Sequence, residues 1–397
     1  SLGIYRSFKK NNQINMSAQL IKEVTSKFKS IFKTEPIAIF SPGRINIIGE
    51  HTDYNGGFVF PAAVDKGIAA AIQKSDAGHS TAIAMDLNST IEFELDKLKP
   101  SKEGSWENYV FGVVAEIQNR NKIIGDFNIV FKGNIPAGAG MSSSAALENS
   151  VVFGLNELFD LGLTKTEMIL ISQKAEHNYV GVKCGIMDQY ASMFGIKNNA
   201  LLLDCRTIES KPYEIDFKEH QLMLINTNVK HSLSDSAYND RRSACESVAE
   251  LLKVDTLREA SEEDLEKIID KITPENYQKA LYVIQEIERT QKAAKAIEKN
   301  DLETLGALIY ASHNGLQHQY KVSCEELDYL VAQAKKNKKV LGARMMGGGF
   351  GGCTINLIAK SEAKAFADSV ATSYKNKFNK ECSVYFIELS DGTHIVQ

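Results

Sequence analysis

Apolar residues recur every three or four positions at Leu20, Ile21, Val24, Phe28, Ile31 and Phe32, which predicts an amphipathic helix starting near Met16. Four short segments beyond it read as strands, at Pro36 to Phe40, Gly67 to Gln73, Ser80 to Met85 and Thr90 to Leu95. Tyr109, Val113 and Ile117 share one face of a helix over Ser105 to Arg120. Phe127 to Lys132 alternates as a strand, runs into a loop over Gly133 to Gly140, and is followed by a helix from about Ser142 to Phe159. Thr164 and Glu167 stand at capping-box spacing and open a helix that reaches about Tyr179. Strands follow at Ala200 to Asp204 and Gln221 to Asn226. The charged stretch Asp235 to Gly315 keeps a helical period, for example at Ala280, Val283, Ile284 and Ile287. A glycine run, a strand over Cys353 to Ala359, a helix over 361–377 and a strand over 383–388 complete the pattern.

Strands mixed irregularly with helices predict an α+β protein of two packed lobes, 16–212 and 213–397. Residues 1–15 are polar and basic and read as an N-terminal extension or expression remnant outside the fold. No Gly/Ser- or Pro-rich linker separates the lobes, so a site built between them is expected.

Composition narrows the classes without choosing among enzymes. With 43% hydrophobic and 24% charged residues in 397, the chain is neither disordered nor collagen-like. A net charge of −4 supplies no global attraction to nucleic acid or an anionic membrane. The longest apolar runs, such as Gly67 to Ile72, fall far short of the ~20 residues of a membrane span. Six scattered cysteines without a C-x-x-C pair suit a reducing compartment, which predicts a cytoplasmic protein.

Three clusters carry candidate chemistry. Pro136-Ala-Gly-Ala-Gly-Met-Ser-Ser-Ser-Ala145 follows a strand and opens a helix, where unpaired amides and the helix dipole favour an anion. A plain glycine turn with a serine cap reads equally well. It is not a Walker loop, since no Lys-Ser/Thr follows the glycines, so a bound triphosphate needs a metal and cations from elsewhere. Glu176 is a candidate metal partner or a solvated helical carboxylate. Asp188, set among Gly, Ile, Met and Tyr in Cys184-Gly-Ile-Met-Asp-Gln-Tyr190, needs a partner or caps a helix.

The second cluster, Ser41 to Gly57, places Arg44, Glu50, His51 and Asp53 within ten residues. That density of donors and acceptors suits a polyhydroxyl ligand, or a surface turn with a local salt bridge. The third, Arg344-Met-Met-Gly-Gly-Gly-Phe-Gly-Gly-Cys353, has five glycines in six positions and implies close backbone packing or, failing that, a flexible linker.

Together these clusters resemble the three motifs of the GHMP family of small-molecule kinases and, within it, the galactokinase branch. Gly43-Arg-Ile-Asn-Ile-Ile-Gly-Glu-His-Thr-Asp-Tyr-Asn55 looks like the sugar motif, Gly138-Ala-Gly-Met-Ser-Ser-Ser144 like the phosphate loop, and Gly347 to Gly352 like the third motif. Cys184 to Tyr190 and Asn226-Thr-Asn-Val-Lys-His-Ser232 up to Tyr238 also match, in the family's order, over about residues 17–397. The resemblance implies a ribosomal-protein-S5-like N-terminal lobe, a ferredoxin-like C-terminal lobe and a site in the cleft between them. It implies ATP-dependent phosphorylation of D-galactose to α-D-galactose 1-phosphate with Mg²⁺ as cofactor, and no nucleic-acid, membrane or obligate protein partner.

By matching position, Asp188 and Arg44 would be the catalytic pair, and Glu50, His51, Thr52, Asp53, Gly185, Asp188 and Tyr238 would bind the sugar. Gly138, Ala139, Gly140, Met141, Ser142, Ser143 and Ser144 would hold the nucleotide phosphates, Trp106 would flank the adenine, and Ser144 and Glu176 would hold the metal. Met346, Lys230 and Ala146 depart from the family's usual residues. Other outcomes are a kinase for N-acetylgalactosamine, arabinose or a non-sugar alcohol, and a non-catalytic sensor of galactose and ATP. The intact Ser142 to Ser144, Glu176 and Asp188 weigh against a sensor.

Overall fold

The run Ile68-Ala-Ala-Ala-Ile72 is continuous rather than alternating because its strand is covered on both faces. In the computed structural model, which describes residues 10–229 and 234–397 with side chains from Met16 on, that strand belongs to the first of three sheets. The chain opens with α1 (Lys10–Phe32), β1 (Ile37–Asn46), β2 (Phe58–Val59), β3 (Pro61–Lys74), β4 (Ser80–Ala84) and β5 (Ser89–Phe93). There follow α2 (Glu107–Asn119), β6 (Phe127–Gly133), α3 (Ser143–Phe159), α4 (Lys165–Ala175) and α5 (Met187–Phe194). Three strands, β7 (Asn199–Asp204), β8 (Glu209–Glu214) and β9 (His220–Asn226), precede α6 (Ser234–Leu252), α7 (Glu262–Glu266), α8 (Pro274–Glu298), α9 (Leu302–Gly315) and α10 (Glu325–Lys335). The chain closes with β10 (Val340–Met345), β11 (Cys353–Ala359), α11 (Lys360–Phe378), β12 (Ser383–Phe386) and β13 (His394–Ile395). Lys230 and the end of the Asn226–Ser232 match lie outside the described residues.

The N-terminal sheet has the order β13-β1-β3-β6-β4-β5 and is antiparallel except for the β4–β6 pair. Strand alternation sorts its two covers. Ala69, Ala71, Ile83 and Val130 face Leu20, Val24 and Phe28 of α1, while Ala70, Ile72, Ala82 and Ile129 face the core built on α2, α3 and α4. The C-terminal sheet, order β10-β11-β9-β12, divides in the same way. Met223, Ile225 and Ile358 pack on α10 and α11, the ferredoxin-like face. Leu222, Leu224, Ile355 and Leu357 turn to α8 and α9 and to Ile45, Ile47, Phe60 and Val64 of the other lobe. The lobes therefore share one apolar core across the seam, which leaves no linker to find in the sequence.

Several boundaries differ from the sequence reading. α1 begins at Lys10, six residues ahead of the expected start. β1 runs on to Asn46, because a bulge between Pro42 and Arg44 lets pairing with β3 continue past the glycine. The expected helix to Tyr179 stops at Ala175 and widens into a single π-type turn over Glu176–Val180. At its start, Thr164 and Glu167 do form the capping box. β8 has no apolar alternation to betray it, being an outer strand with largely exposed side chains. β13 is only two residues long and pairs with β1, so the range 213–397 does not stay within one lobe. No described helix is long and apolar enough to cross a membrane.

α9 packs closely on the C-terminal sheet at Gly306, where a Cβ would lie 2.1 Å from the Leu341 carbonyl oxygen. Gly306→Ala should therefore lower stability even though alanine is favoured over glycine inside a helix by about 1 kcal/mol. We expect a net loss of about 1–3 kcal/mol, typical of overpacking, measured by urea unfolding. A stabilised variant would show that this contact yields.

Candidate active site

The sugar-like motif begins as strand and ends as loop, and the bulge is what aims it. Gly43 lies so close to the serine-rich loop that a Cβ there would come within 2.6 Å of the Met141 carbonyl oxygen. The next amide, Arg44 N–H, donates to that carbonyl (2.9 Å). The Arg44 side chain, 4% exposed, donates through Nε to Asp188 Oδ1 (2.7 Å) and through Nη1 to the Gly140 carbonyl (2.5 Å). Burial opposes its charge, but Asp188, Glu50 and Asp53 more than offset that and leave its pKa raised. Asp188 sits in the first turn of α5 with 31% of its side chain exposed, so it reaches solvent from the pair.

Glu50, His51 and Asp53 are held by three different parts of the chain. The Arg344 guanidinium, fully buried at the end of β10, donates to Glu50 Oε1 (3.1 Å) and to the carbonyls of Asn46, Ile47 (2.8 Å) and Met345 (2.5 Å). Gly347 N–H donates to the same Oε1 (3.0 Å), which leaves Oε2 without a hydrogen bond among the described residues. The His51 Nε2 lies 2.9 Å from the Gly348 carbonyl, which can only accept, so Nε2 carries the proton and Nδ1 accepts from the Tyr54 hydroxyl (2.7 Å). Burial pushes the His51 pKa down to about 4, consistent with that neutral ring. Asp53 accepts from Tyr54 N–H (3.0 Å) and Met187 N–H (3.1 Å). Burial first, then the neighbouring Asp188, raises its pKa to about 6 against those two bonds. Tyr238 of α6 covers this group, its ring 5.1 Å from that of His51. Arg242, one turn on, ties α6 to the Lys183 and Cys184 carbonyls (2.7 and 3.0 Å).

These residues meet in one cavity. Its lining includes Arg44, Glu50, His51, Asp53, Gly185, Asp188 and Tyr238, together with Cys184, Met187, Gly347 and Gly348, which sequence reasoning had not assigned. Thr52 is a correction: it is fully buried outside that lining, its hydroxyl donated to the Phe58 carbonyl (2.7 Å), so it shapes the loop. A second cavity shares Gly348 and is lined by Gly138, Gly140, Met346 and Gly349 to Gly352 of the third glycine run. Ala139 and Met141 point away from it into the inter-lobe core and anchor the loop. Ser142 and His51 both hold φ at 60°, backbone strain of the kind that gathers at working sites.

Behind the loop lies a second group of acids. Glu176 is 5% exposed, which excludes the solvated-surface reading, and it starts the π-type turn. Burial raises its pKa to about 7, against hydrogen bonds from Ser144 and Glu148. Glu148, fully buried on α3, is raised further by burial and by Glu176. The sequence reading missed it, although its spacing of four from Ser144 puts both on one helix face. Ser142 Oγ and Glu148 Oε2 are buried with no hydrogen-bond partner among the described residues. Buried oxygens left unsatisfied beside an ionisable carboxylate suit a hard divalent cation such as Mg²⁺. Trp106 lines neither cavity; its indole N–H donates to Ser89 Oγ (3.0 Å) and its ring meets Phe131 edge-on at 5.5 Å.

An anion-ready loop without a lysine, an Arg–Asp pair and a two-lobed α+β fold joined at the seam define a small-molecule kinase of the GHMP class. Family models bear this out, matching the GHMP kinases N terminal domain over residues 108–196, the galactokinase galactose-binding signature over 26–74 and the GHMP kinases C terminal over 293–376. The chain belongs to the galactokinase family. It is 40% identical over 382 residues to a galactokinase of Clostridium acetobutylicum, covering 94% of this chain and 98% of that one. It is 40% identical over 354 residues to one of Thermotoga maritima, covering 89% and 98%. The fold superposes on Lactococcus lactis galactokinase complexed with galactose with a TM-score of 0.90 at 34% identity, covering 96% of this chain and 100% of that one. Methanococcus jannaschii mevalonate kinase, at a TM-score of 0.60 and 17% identity, shares the fold.

Gly185 leaves no room for a side chain, since a Cβ there would come 2.1 Å from the Asp53 carboxylate. Gly185→Ala should destabilise the chain by about 1–3 kcal/mol. Asp53→Ala should then cost less in the Gly185→Ala background than in the wild type, because it removes the clash. Thermal unfolding of the double-mutant cycle checks this, and strictly additive costs would rule the clash out.

Proposed function

We propose that this chain transfers the γ-phosphoryl group of ATP to the 1-hydroxyl of D-galactose, releasing α-D-galactose 1-phosphate and ADP. The observation that carries the reading is the Arg44–Asp188 pair at 2.7 Å, in a cavity that also holds Glu50 and Asp53 and that opens beside the glycine-lined one. The sugar occupies the first cavity. Glu50 offers it Oε2, Asp53 its remaining lone pairs, and Tyr238 its ring and hydroxyl. Since both His51 nitrogens are taken by Tyr54 and Gly348, that residue contributes its shape rather than a ring hydrogen bond. With Oδ1 held by Arg44, Asp188 uses Oδ2 to orient the 1-hydroxyl and accept its proton as the new O–P bond forms and the bond to ADP breaks. Arg44 stands beside the negative charge that develops there.

The nucleotide phosphates lie along Gly138 to Ser144, on the backbone amides of the loop and of the first turn of α3. Ser144 and Glu176 would hold Mg²⁺, with Glu148 behind them. When bound, the ion neutralises phosphate charge that a P-loop lysine would otherwise meet. Trp106 offers the adenine its ring face, its N–H being committed to Ser89. All six cysteines are free, which suits the reducing cytoplasm where we place the chain.

The direct test is ADP release over galactose, glucose, N-acetylgalactosamine, arabinose, mevalonate and homoserine. A site built to hydrogen-bond a particular hydroxyl can discriminate by roughly 10⁴–10⁵, so glucose turnover within about tenfold of galactose would sink the assignment. Asp188→Asn should lose at least about 10²-fold in rate at saturating substrates with its melting temperature kept. A folded variant that keeps about a tenth of the rate or more would remove Asp188 from the chemistry.

The raised Asp53 pKa adds a pH dependence. Above about 6 the carboxylate is ionised and accepts two sugar hydroxyls; below it the added proton takes one acceptor away. Galactose KM should therefore rise as pH falls through about 6, and Asp53→Asn should abolish the trend. Steady-state kinetics across that range decide it.

A further inference from the structure

The last residues of the chain touch both elements that carry the Arg44–Asp188 pair, and they do so through buried hydroxyls. After β12 the chain crosses back to the N-terminal lobe. Ser390 N–H donates to the Ala63 carbonyl (2.9 Å), Gly392 N–H to Gly195 (2.8 Å) and Val396 N–H to Ala38 (2.8 Å). Within this strap Thr393 is 3% exposed. Its hydroxyl donates to the Ser192 carbonyl (2.9 Å), and its own N–H donates to the same oxygen (2.8 Å). Thr393 Oγ1 also lies 3.0 Å from Ser41 Oγ, which lies 3.2 Å from Ser192 Oγ.

Each hydroxyl has one proton to give, so the direction of the ring is determined. Thr393 gives its proton to the Ser192 carbonyl, Ser41 must give to Thr393, and Ser192 must give to Ser41. Ser41 is three residues before Arg44 on β1. Ser192 is four residues after Asp188, one turn along α5. The ring thus joins the strand that carries the cation to the helix that carries the carboxylate. There is no slack around it: a Cβ on Gly392 would come 2.3 Å from the Met193 carbonyl oxygen.

We propose that Thr393 is a positioning residue for phosphoryl transfer, its hydroxyl holding α5 against β1 so that Asp188 and Arg44 keep their spacing before substrate arrives. The inference rests on the proposed roles of that pair. It explains why the C-terminal segment leaves its own lobe to add two residues to the edge of the other sheet. Reaction geometry is steep in distance, and a misplacement of about 1 Å can cost on the order of 10²-fold.

The test is the single-turnover transfer rate, with KM for galactose and ATP and the melting temperature, for Thr393→Val and Thr393→Ser, each in the wild-type and Asp188→Asn backgrounds. Thr393→Val keeps the shape and loses the hydroxyl. We expect its transfer rate to fall roughly tenfold, a smaller displacement than that limit, with both KM values within about twofold. Thr393→Ser should restore the rate, and Thr393→Val should change the residual rate of Asp188→Asn by less than about twofold, as groups acting as one unit do. Should Thr393→Val fail to fold, Ser41→Ala opens the same ring and carries the same test. A wild-type transfer rate in folded Thr393→Val, whatever its melting temperature, overturns the proposal. So does an equal loss in the Asp188→Asn background, which would mean that Thr393 acts independently of the pair. A wild-type chain that transfers no phosphate to galactose, or an Asp188→Asn variant at full rate, overturns the parent reading and this one with it.

Discussion

One buried guanidinium sets the geometry of the seam. Arg344 ends a strand of the C-terminal sheet, yet two of its carbonyl partners and its carboxylate partner belong to the segment Asn46 to Glu50 of the other lobe. Taking a cation out of water is costly unless its donors are met, and here three backbone oxygens and Glu50 accept from four of its five N–H groups. Removing one side of such a buried pair typically costs about 3–5 kcal/mol, so the two lobes cannot slide without losing more than a typical surface contact provides. The orientation of Glu50 follows directly. Arg344 and the Gly347 amide both occupy Oε1, and Oε2 is the atom left to work with.

The glycine run beside Arg344 serves the same seam. Gly347 and Gly352 face Gly140 and Gly138 across the lobes at distances where a Cβ would touch backbone oxygen at 3.4 Å. The serine-rich loop and the Glu50–Asp53 loop are thus built against a common backbone wall, and the two cavities share Gly348. The electrostatics follow from burial. Asp53, Glu148 and Glu176 all have raised pKa values because burial disfavours their charged forms, and neighbouring acids add to it. A site this rich in acceptors favours hydroxyl donors and a divalent cation, while burial keeps His51 neutral.

Much of the architecture was legible from short-range patterns. The capping box at Thr164 and the alternation of Leu222, Met223, Leu224 and Ile225 lie within a few residues of what they determine, so position along the chain and position in space agree. The polar β8 was not legible, because an outer strand with exposed side chains has no apolar period to read. Glu148 was hidden by its place in a helix that looks simply buried. Thr52 lay within a recognisable motif, but motif membership does not say whether a hydroxyl faces the ligand or the Phe58 carbonyl.

Local sequence therefore determined which residues form elements and which loops must bend, because propensity, period and capping act over a few bonds. It also supplied the residue types that the chemistry needs, as five motifs in a recognisable order. Tertiary structure alone decided how they combine. The Arg44–Asp188 contact spans 144 residues and the Arg344–Glu50 contact 294, and the C-terminal strap returns 352 residues to meet Ser41. Such contacts depend on how whole sheets bury their faces against one another, and no window along the chain contains both partners.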